Sequence, residues 1–413
     1  MTPLRYQNKA LCKVRTVTTF ISLDADKSRW NEQILEASQY CLALTDVFDA
    51  NGYEVQSIRI VTNPFGEYLN TSSYETARAD LQYLRELLMT ANHSDMRVRF
   101  AIGEAQTLNE LLILPELIKE FGDLCNVCVN ISLDEFGILD NTMIEQSVQA
   151  VQRIAAITPR GEGNFNFTVN FNCQPLIPYF PASYHRKELG NKVVIGLETP
   201  DLLVDVLKQY NQEKGTVEHN SQFNGYYHVM HQALQYHIDM ITDIVKKADI
   251  SDAFEFAGFD SSAAPSKNCA SMTDVYEAMG VPHFGASGTV EASALLTRVF
   301  KSISGVDLVG FSGLMLALTE DRGLAKGSIN GDFDIRSLLT YSAVCGIGLD
   351  TVPIPGDTPA DKIAAIMRDT GTMAYRLNKP LTVRLFPVPG LKAGELTAFE
   401  SDDLCNCAVL AVP

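Results

Sequence analysis

Strand-like and helix-like segments alternate along almost the whole chain, and few architectures accommodate that order. β-branched runs at 13–22 (KVRTVTTFIS), 53–62, 97–103 and 126–132 read as strands. So do 164–171 (NFNFTVNF, polar and apolar in turn), 193–197, 253–260 and 381–385. Between them, apolar residues recur at helical spacing over 30–50, 73–91, 107–121, 143–157, 200–212, 226–248, 290–303, 335–342 and 359–377. A short helix is expected at 273–279, an apolar stretch at 306–311, and a last strand at 408–412. The pattern predicts an α/β fold with strands and helices in alternation.

No repeat, low-complexity tract or Pro/Gly/Ser linker divides the 413 residues, so a single domain over 1–413 is expected. Hydrophobic residues at 46% and charged residues at 20% supply a full core and exclude a mainly disordered chain. Acidic residues outnumber basic ones 50 to 33, for a net charge of −17. That argues against nucleic acid or an anionic membrane as partner, because both require positive charge to neutralise phosphates. The first thirteen residues have no secretory core, and no run of about 18 apolar residues exists. Nine scattered cysteines then read as reduced thiols in a cytoplasmic protein.

The segment richest in chemistry is 345–358, CGIGLDTVPIPGDT. It reads as an irregular, stiffened loop between two helices, with Cys345 opening it and carboxylates at Asp350 and Asp357. A second is PYFPASYH at 178–185, where Tyr184 and its aromatic neighbours can wall a pocket and His185 can carry a proton near neutral pH. A third is GFDSSAAPS at 258–266: Asp260 and Ser261 would stand at a strand's C-terminal end, where α/β folds place ligands. Each has a plain structural alternative: a core thiol, a packed aromatic loop, a capping turn.

Arg15, Arg59 and Arg384 stand inside strand-like segments. A buried arginine needs a carboxylate or an anionic ligand, so these are candidates to hold substrate carboxylate or phosphate. Cys125 and Cys128 lack a second pair at zinc spacing, and His228, His231 and His237 lack the companion motif of a helical zinc site. No structural zinc is expected. Neither a P-loop nor G-x-G-x-x-G is present, so no ATP or NAD motif is assigned.

Taken together, these stretches resemble a known family, domain of unknown function 711, also called uncharacterised protein family 0210. The resemblance is carried by KVRTVTTFISL (13–23), IRIVTNPFGEY (58–68), IPYFPASYH (177–185) and GFDSSAAP (258–265). It continues through VGFSGLMLALTEDRGLA (309–325), YSAVCGIGLDTVPIPGDT (341–358) and VRLFPVPGLKAGELTAF (383–399). The family looks like a divergent relative of glycyl-radical enzymes such as pyruvate formate-lyase. That implies a ten-stranded α/β barrel with a loop inserted into its centre, and 345–358 is the candidate loop, with Cys345 at the cysteine position. The radical-bearing motif of those enzymes corresponds to Arg384–Pro387 here, and proline stands in place of the glycine. A glycyl radical is therefore not expected.

The resulting expectation is a non-radical enzyme for a small carboxylate- or phosphate-bearing metabolite. Cys345, Asp350, Asp357 and His185 would be catalytic; Arg15, Asn63, Tyr184, Asp260, Ser261 and Arg384 would bind substrate. A divalent cation on the paired carboxylates is compatible with this, but no metal ligand set is assigned. The alternative is a metabolite-binding regulatory protein without turnover. A homo-oligomer is left open.

Overall fold

A computed structural model describes residues 5–92, 96–213 and 219–413. The first half of the chain runs β1 (Lys13–Ile21), α1 (Trp30–Ala50), β2 (Ile58–Thr62), α2 (Tyr74–Ala91), β3 (Val98–Ala101), β4 (Gly103–Glu104), α3 (Leu108–Phe121), β5 (Val127–Ile131), α4 (Asn141–Ile157) and β6 (Phe167–Phe171). The second half runs β7 (Lys192–Glu198), α5 (Pro200–Glu213), α6 (His219–Lys247), β8 (Glu255–Asp260), α7 (Met272–Ala278), α8 (Thr289–Lys301), α9 (Arg322–Asn330), α10 (Ile335–Tyr341), β9 (Gly348–Pro355), α11 (Ala360–Arg376) and β10 (Leu381–Val388). The α/β class expected from the alternation holds.

The strands form two five-stranded sheets, ordered β3-β2-β1-β7-β8 and β4-β5-β6-β10-β9. Each has one antiparallel junction, β1 against β7 and β6 against β10; all other pairings are parallel. The sheets meet in sequence at Ile102, between β3 and β4. Gly103 makes that passage with φ +82°, and a Cβ there would lie 2.6 Å from the Thr62 carbonyl oxygen. Only glycine tolerates both conditions.

Two faces of each strand have different fates, as the two-residue period requires. Val17, Ile58, Ile60, Phe100, Val127, Val129, Val169 and Leu385 join the main apolar core. The other face of the first sheet carries Thr16, Thr18, Arg59 and a small cluster of Phe20, Val61, Ala101 and Val194. On the second sheet the corresponding positions are Cys128, Thr168, Asn170, Thr382 and Arg384, all buried. A polar face that is buried must find partners, and here it faces the connection between β6 and β7. Leu176 and Phe180 of that connection pack on the small cluster. Its backbone carbonyls serve the strands: Pro178 accepts from Arg59 and Thr18, and Ala182 accepts from Asn170.

This changes the reading of 345–358. The segment is not an inserted loop. Gly348–Pro355 is β9, buried and paired in parallel register with β10, where Pro353 stands opposite Phe386 and Pro355 opposite Val388. The glycine at 346 serves a close approach of two chains rather than of a ligand: a Cβ there would lie 2.7 Å from the Gly313 backbone. The buried connection is instead the second sequence segment, PYFPASYH. The expected last strand, 408–412, forms only a single bridge, Leu396 to Ala408. The helix Arg322–Asn330 lay unread, because Gly323 and Gly327 dilute its pattern.

Candidate functional site

A cavity of about 400 Å³ opens between the two polar strand faces, a size ordinary for small-molecule sites. Arg15, Arg59 and Arg99 lie on the wall from the first sheet; Asp350, Arg384 and Glu320 lie on the wall opposite, with Phe180 of the buried connection between.

On the first wall Arg59 and Arg99 are register partners on β2 and β3, so they share a face. Arg99 is half-exposed and pairs with Asp403 at 3.4 Å. Arg15 donates to Gln56 Oε1 at 3.1 Å and lies 3.8 Å from Glu198. Arg59 differs from both. It is 7% exposed, donates from Nη1 to the Pro178 carbonyl at 3.0 Å, and its Nε has no partner. Its guanidinium lies 4.9 Å from the Phe180 ring centroid. No carboxylate pairs with it among the described residues. Burial, helped by the neighbouring charges of Arg15 and Arg99, lowers its pKa to about 9. A cation held this way lacks its counter-ion.

On the second wall the shortage is reversed. Arg384 donates from Nε to Asp350 at 2.6 Å and from Nη2 to Glu320 at 2.5 Å. Its third contact is the Phe165 carbonyl at 3.2 Å. One guanidinium serves two carboxylates, so the cluster keeps one formal negative charge in excess. Burial, and then the proximity of Asp350, push Glu320 above the usual carboxylate range, with Arg384 opposing. A carboxyl poised in that way suits proton transfer.

Of the ten residues expected to be catalytic or substrate-binding, three line the cavity, Arg15, Asp350 and Arg384; Arg59, the remaining candidate arginine in a strand, lines it too. Cys345 is fully buried, its thiol accepting from Gly348 N at 3.4 Å, and it does not reach the cavity lining. Asp357 is exposed beyond the end of β9. His185 is buried with neither ring nitrogen partnered, and burial lowers its pKa to about 4, so it is neutral at physiological pH. Tyr184 donates to the Cys173 carbonyl at 2.9 Å. Asn63 accepts from Leu23 N at 2.9 Å and donates to Glu67 at 2.8 Å. Ser261 donates to the Phe300 carbonyl at 2.7 Å.

Asp260 holds the cavity wall without entering it. Its carboxylate accepts from the backbone of Phe311 at 2.8 Å and of Ser312 and Ser262 at 3.0 Å each. That fixes the segment after α8, from which Phe311, Met315 and Ala317 line the cavity. Sequence reasoning passed over Glu320 and Arg99. Glu320 stands beside Asp321, which caps α9, and two adjacent acids do not announce which faces a ligand.

Asp357→Asn is expected to change stability by less than about 0.5 kcal/mol and to leave ligand affinity at the cavity unchanged. Urea midpoints and titration of any cavity ligand check both.

A family model described as Uncharacterised ACR (DUF711) matches residues 6–400. A UPF0210 protein of Pyrobaculum arsenaticum is 32% identical over 267 residues, 62% of this chain and 57% of that one. This chain thus aligns with little more than half of that relative's length. A UPF0210 protein of Clostridium botulinum is 25% identical over 407 residues, 94% of this chain and 88% of that one. Among solved structures, the anaerobic ribonucleotide reductase from Thermotoga maritima with citrate in the active site has a TM-score of 0.42 at 7% identity, covering 91% of this chain and 81% of that one. With the family model spanning nearly all of its length, the chain belongs to the uncharacterised family DUF711.

Proposed function

We propose that the protein is a non-radical enzyme acting on a small carboxylate- or phosphate-bearing metabolite bound in the central cavity, in the interior of a closed ten-stranded barrel. Support for closure comes from two single bridges. Leu308 pairs with Phe259 of β8, and Ala317 pairs with Asp350 of β9, so the stretch between them bridges β8 to β9 as an irregular strand. Counting β3 and β4 as one broken strand then gives ten. The proline at 387, where the resembling enzymes carry their radical glycine, supports chemistry without a glycyl radical.

The observation that carries the proposal is Arg59, a buried guanidinium on the cavity wall with no carboxylate of its own among the described residues. An anionic ligand supplies the missing charge; bidentate pairing with carboxylate or phosphate suits the guanidinium fork. Glu320 then takes or gives a proton on the bound molecule, while Arg384 stays paired with Asp350 beside it. The second reading, a binding protein without turnover, is favoured by one fact: Cys345, His185 and Asp357 all lie outside the cavity lining.

The test is thermal unfolding of the purified chain against a panel of small carboxylates and phosphate esters, repeated with Arg59→Met. The expected result is a subset of anions that stabilises the wild type and not the variant; a ligand at 100 times its Kd contributes about 2.7 kcal/mol. Equal stabilisation of both proteins would overturn the proposal. NMR of the bound anion over hours then separates turnover from binding alone.

A further inference from the structure

The two walls of the cavity are unbalanced in opposite senses. On the first sheet Arg15 has Glu198 nearby and Arg99 has Asp403, which leaves Arg59 without a counter-charge among the described residues. Opposite it, Asp350 and Glu320 share Arg384 and leave an excess negative charge. Arg59 and Glu320 are close enough to perturb each other electrostatically, yet they form no ion pair among the described residues. Space for a ligand separates them.

A ligand that neutralises both walls carries one anion and one cation. A dianion would satisfy Arg59 and place its second charge against Asp350 and Glu320, where Arg384 is already shared. Like charges so juxtaposed in a partly dry site are unfavourable by several-fold to many-fold in affinity. A simple amine would satisfy Glu320 and leave Arg59 buried and unpaired. From this opposition, resting on the anion-binding reading above, we infer that the cavity takes a zwitterion: a small α-amino acid or a molecule with the same carboxylate and ammonium pair. The carboxylate pairs with Arg59, and the ammonium donates to Glu320 and Asp350. Phe180 and Met315 line the space left for the side chain.

The raised pKa of Glu320 agrees with this: burial lifts it, Asp350 adds to the rise against the opposing Arg384, and a further cation beside it would offset that cost. An ammonium at that place lowers the pKa again, so binding favours ionised Glu320. Affinity for the zwitterion therefore falls as pH falls through the pKa of Glu320 in the free protein. Other groups facing Glu320 act in known directions: Arg384 and Arg15 lower its pKa and Asp350 raises it.

The experiment is isothermal titration calorimetry of the full chain with the proteinogenic α-amino acids, their matching α-hydroxy acids and inorganic phosphate. At least one amino acid is expected to bind about ten-fold or more tightly than its hydroxy acid. Glu320→Gln, with Asp350→Asn as a second variant, should narrow that gap to about three-fold or less and flatten its dependence on acid pH. Arg59→Met should remove binding of both classes. Hydroxy acids or phosphate that bind as tightly as any amino acid, and lose binding with Arg59→Met, would overturn the zwitterion inference and leave the anion site standing. Absence of any Arg59-dependent binding across the panel would overturn both.

Discussion

Arg384→Leu lowers the unfolding free energy by about 3–5 kcal/mol at neutral pH. Asp350 is 3% exposed and has Arg384 as its cation, at 2.6 Å; Glu320 has the same one. Removing the guanidinium leaves two carboxylates facing each other in a poorly solvated place. The Phe165 carbonyl also loses its donor. The deficit depends on pH with a definite sign. In the variant Glu320, already raised by burial, loses the opposing Arg384, and its folded-state pKa moves further above the unfolded value, near 4. Between those values the native state binds more protons than the unfolded state, so stability falls as pH rises. Urea unfolding should show the full deficit at pH 7 and a smaller one toward about pH 5. A deficit that is constant with pH would mean that lost packing, not stranded charge, is responsible. The triple variant Arg384→Leu, Asp350→Leu, Glu320→Leu should recover most of the loss.

Asp260→Ala costs about 3 kcal/mol or more, because three buried backbone N–H groups lose their acceptor at once and each carries a penalty of roughly 1–3 kcal/mol. The donors are those of Ser262, Phe311 and Ser312. Gly310 is fitted to the same carboxylate: a Cβ there would lie 2.2 Å from Asp260 Oδ2. Asp260→Asn keeps one good acceptor and turns the other position into a donor facing an N–H, so it should fall between wild type and alanine. The loss should reach the cavity as well, since Phe311 and Met315 are held by this clasp. Hydrogen exchange at 311–313 faster than global unfolding in Asp260→Ala, with the helices α1 and α2 unchanged, is the expected signature.

Helices were the most legible elements. The spacing of apolar residues in 30–50 matches α1 (Trp30–Ala50), and 335–342 lies within one residue of α10 (Ile335–Tyr341). Strand β6 was legible from NFNFTVNF, but the meaning of its polar residues was not. Alternation ordinarily marks a sheet with one face in water; Thr168 and Asn170 are buried against a crossing segment of chain. β9 escaped because Pro353 and Pro355 argue against a strand, and proline is tolerated at an edge. Beyond β10 its other side meets no full strand among the described residues: Asp350 bridges to Ala317, and the Pro353 carbonyl accepts from Leu410 N at 2.9 Å. At the cavity, Arg59 was recognisable as an arginine in a strand, whereas its want of a partner is a fact of three dimensions. Cys345 drew attention through its glycine- and proline-rich surroundings, and those glycines serve close backbone contacts: Gly346 with Gly313, Gly348 with Thr382 and Gly356 with Val388.

The interleaving of the two sheets along the chain bears on synthesis from the ribosome. β1 is finished by Ile21 but its antiparallel neighbour β7 begins at Lys192, and β6 ends at Phe171 while β10 begins at Leu381. At 5–20 residues per second, each strand waits roughly 10–40 s for that partner to be made. Until residue 178 is made, the polar side of β1–β3, with Arg59 on it, lacks the Pro178 carbonyl, and β9 and β10 of the second sheet are made later still. A translational pause placed before residue 192 would prolong an open strand edge, the surface most prone to pairing with another chain. Over residues 1–191 the 23 acidic residues outnumber the 16 basic ones, and that net charge of −7 sets the nascent copies against one another while those edges remain uncovered.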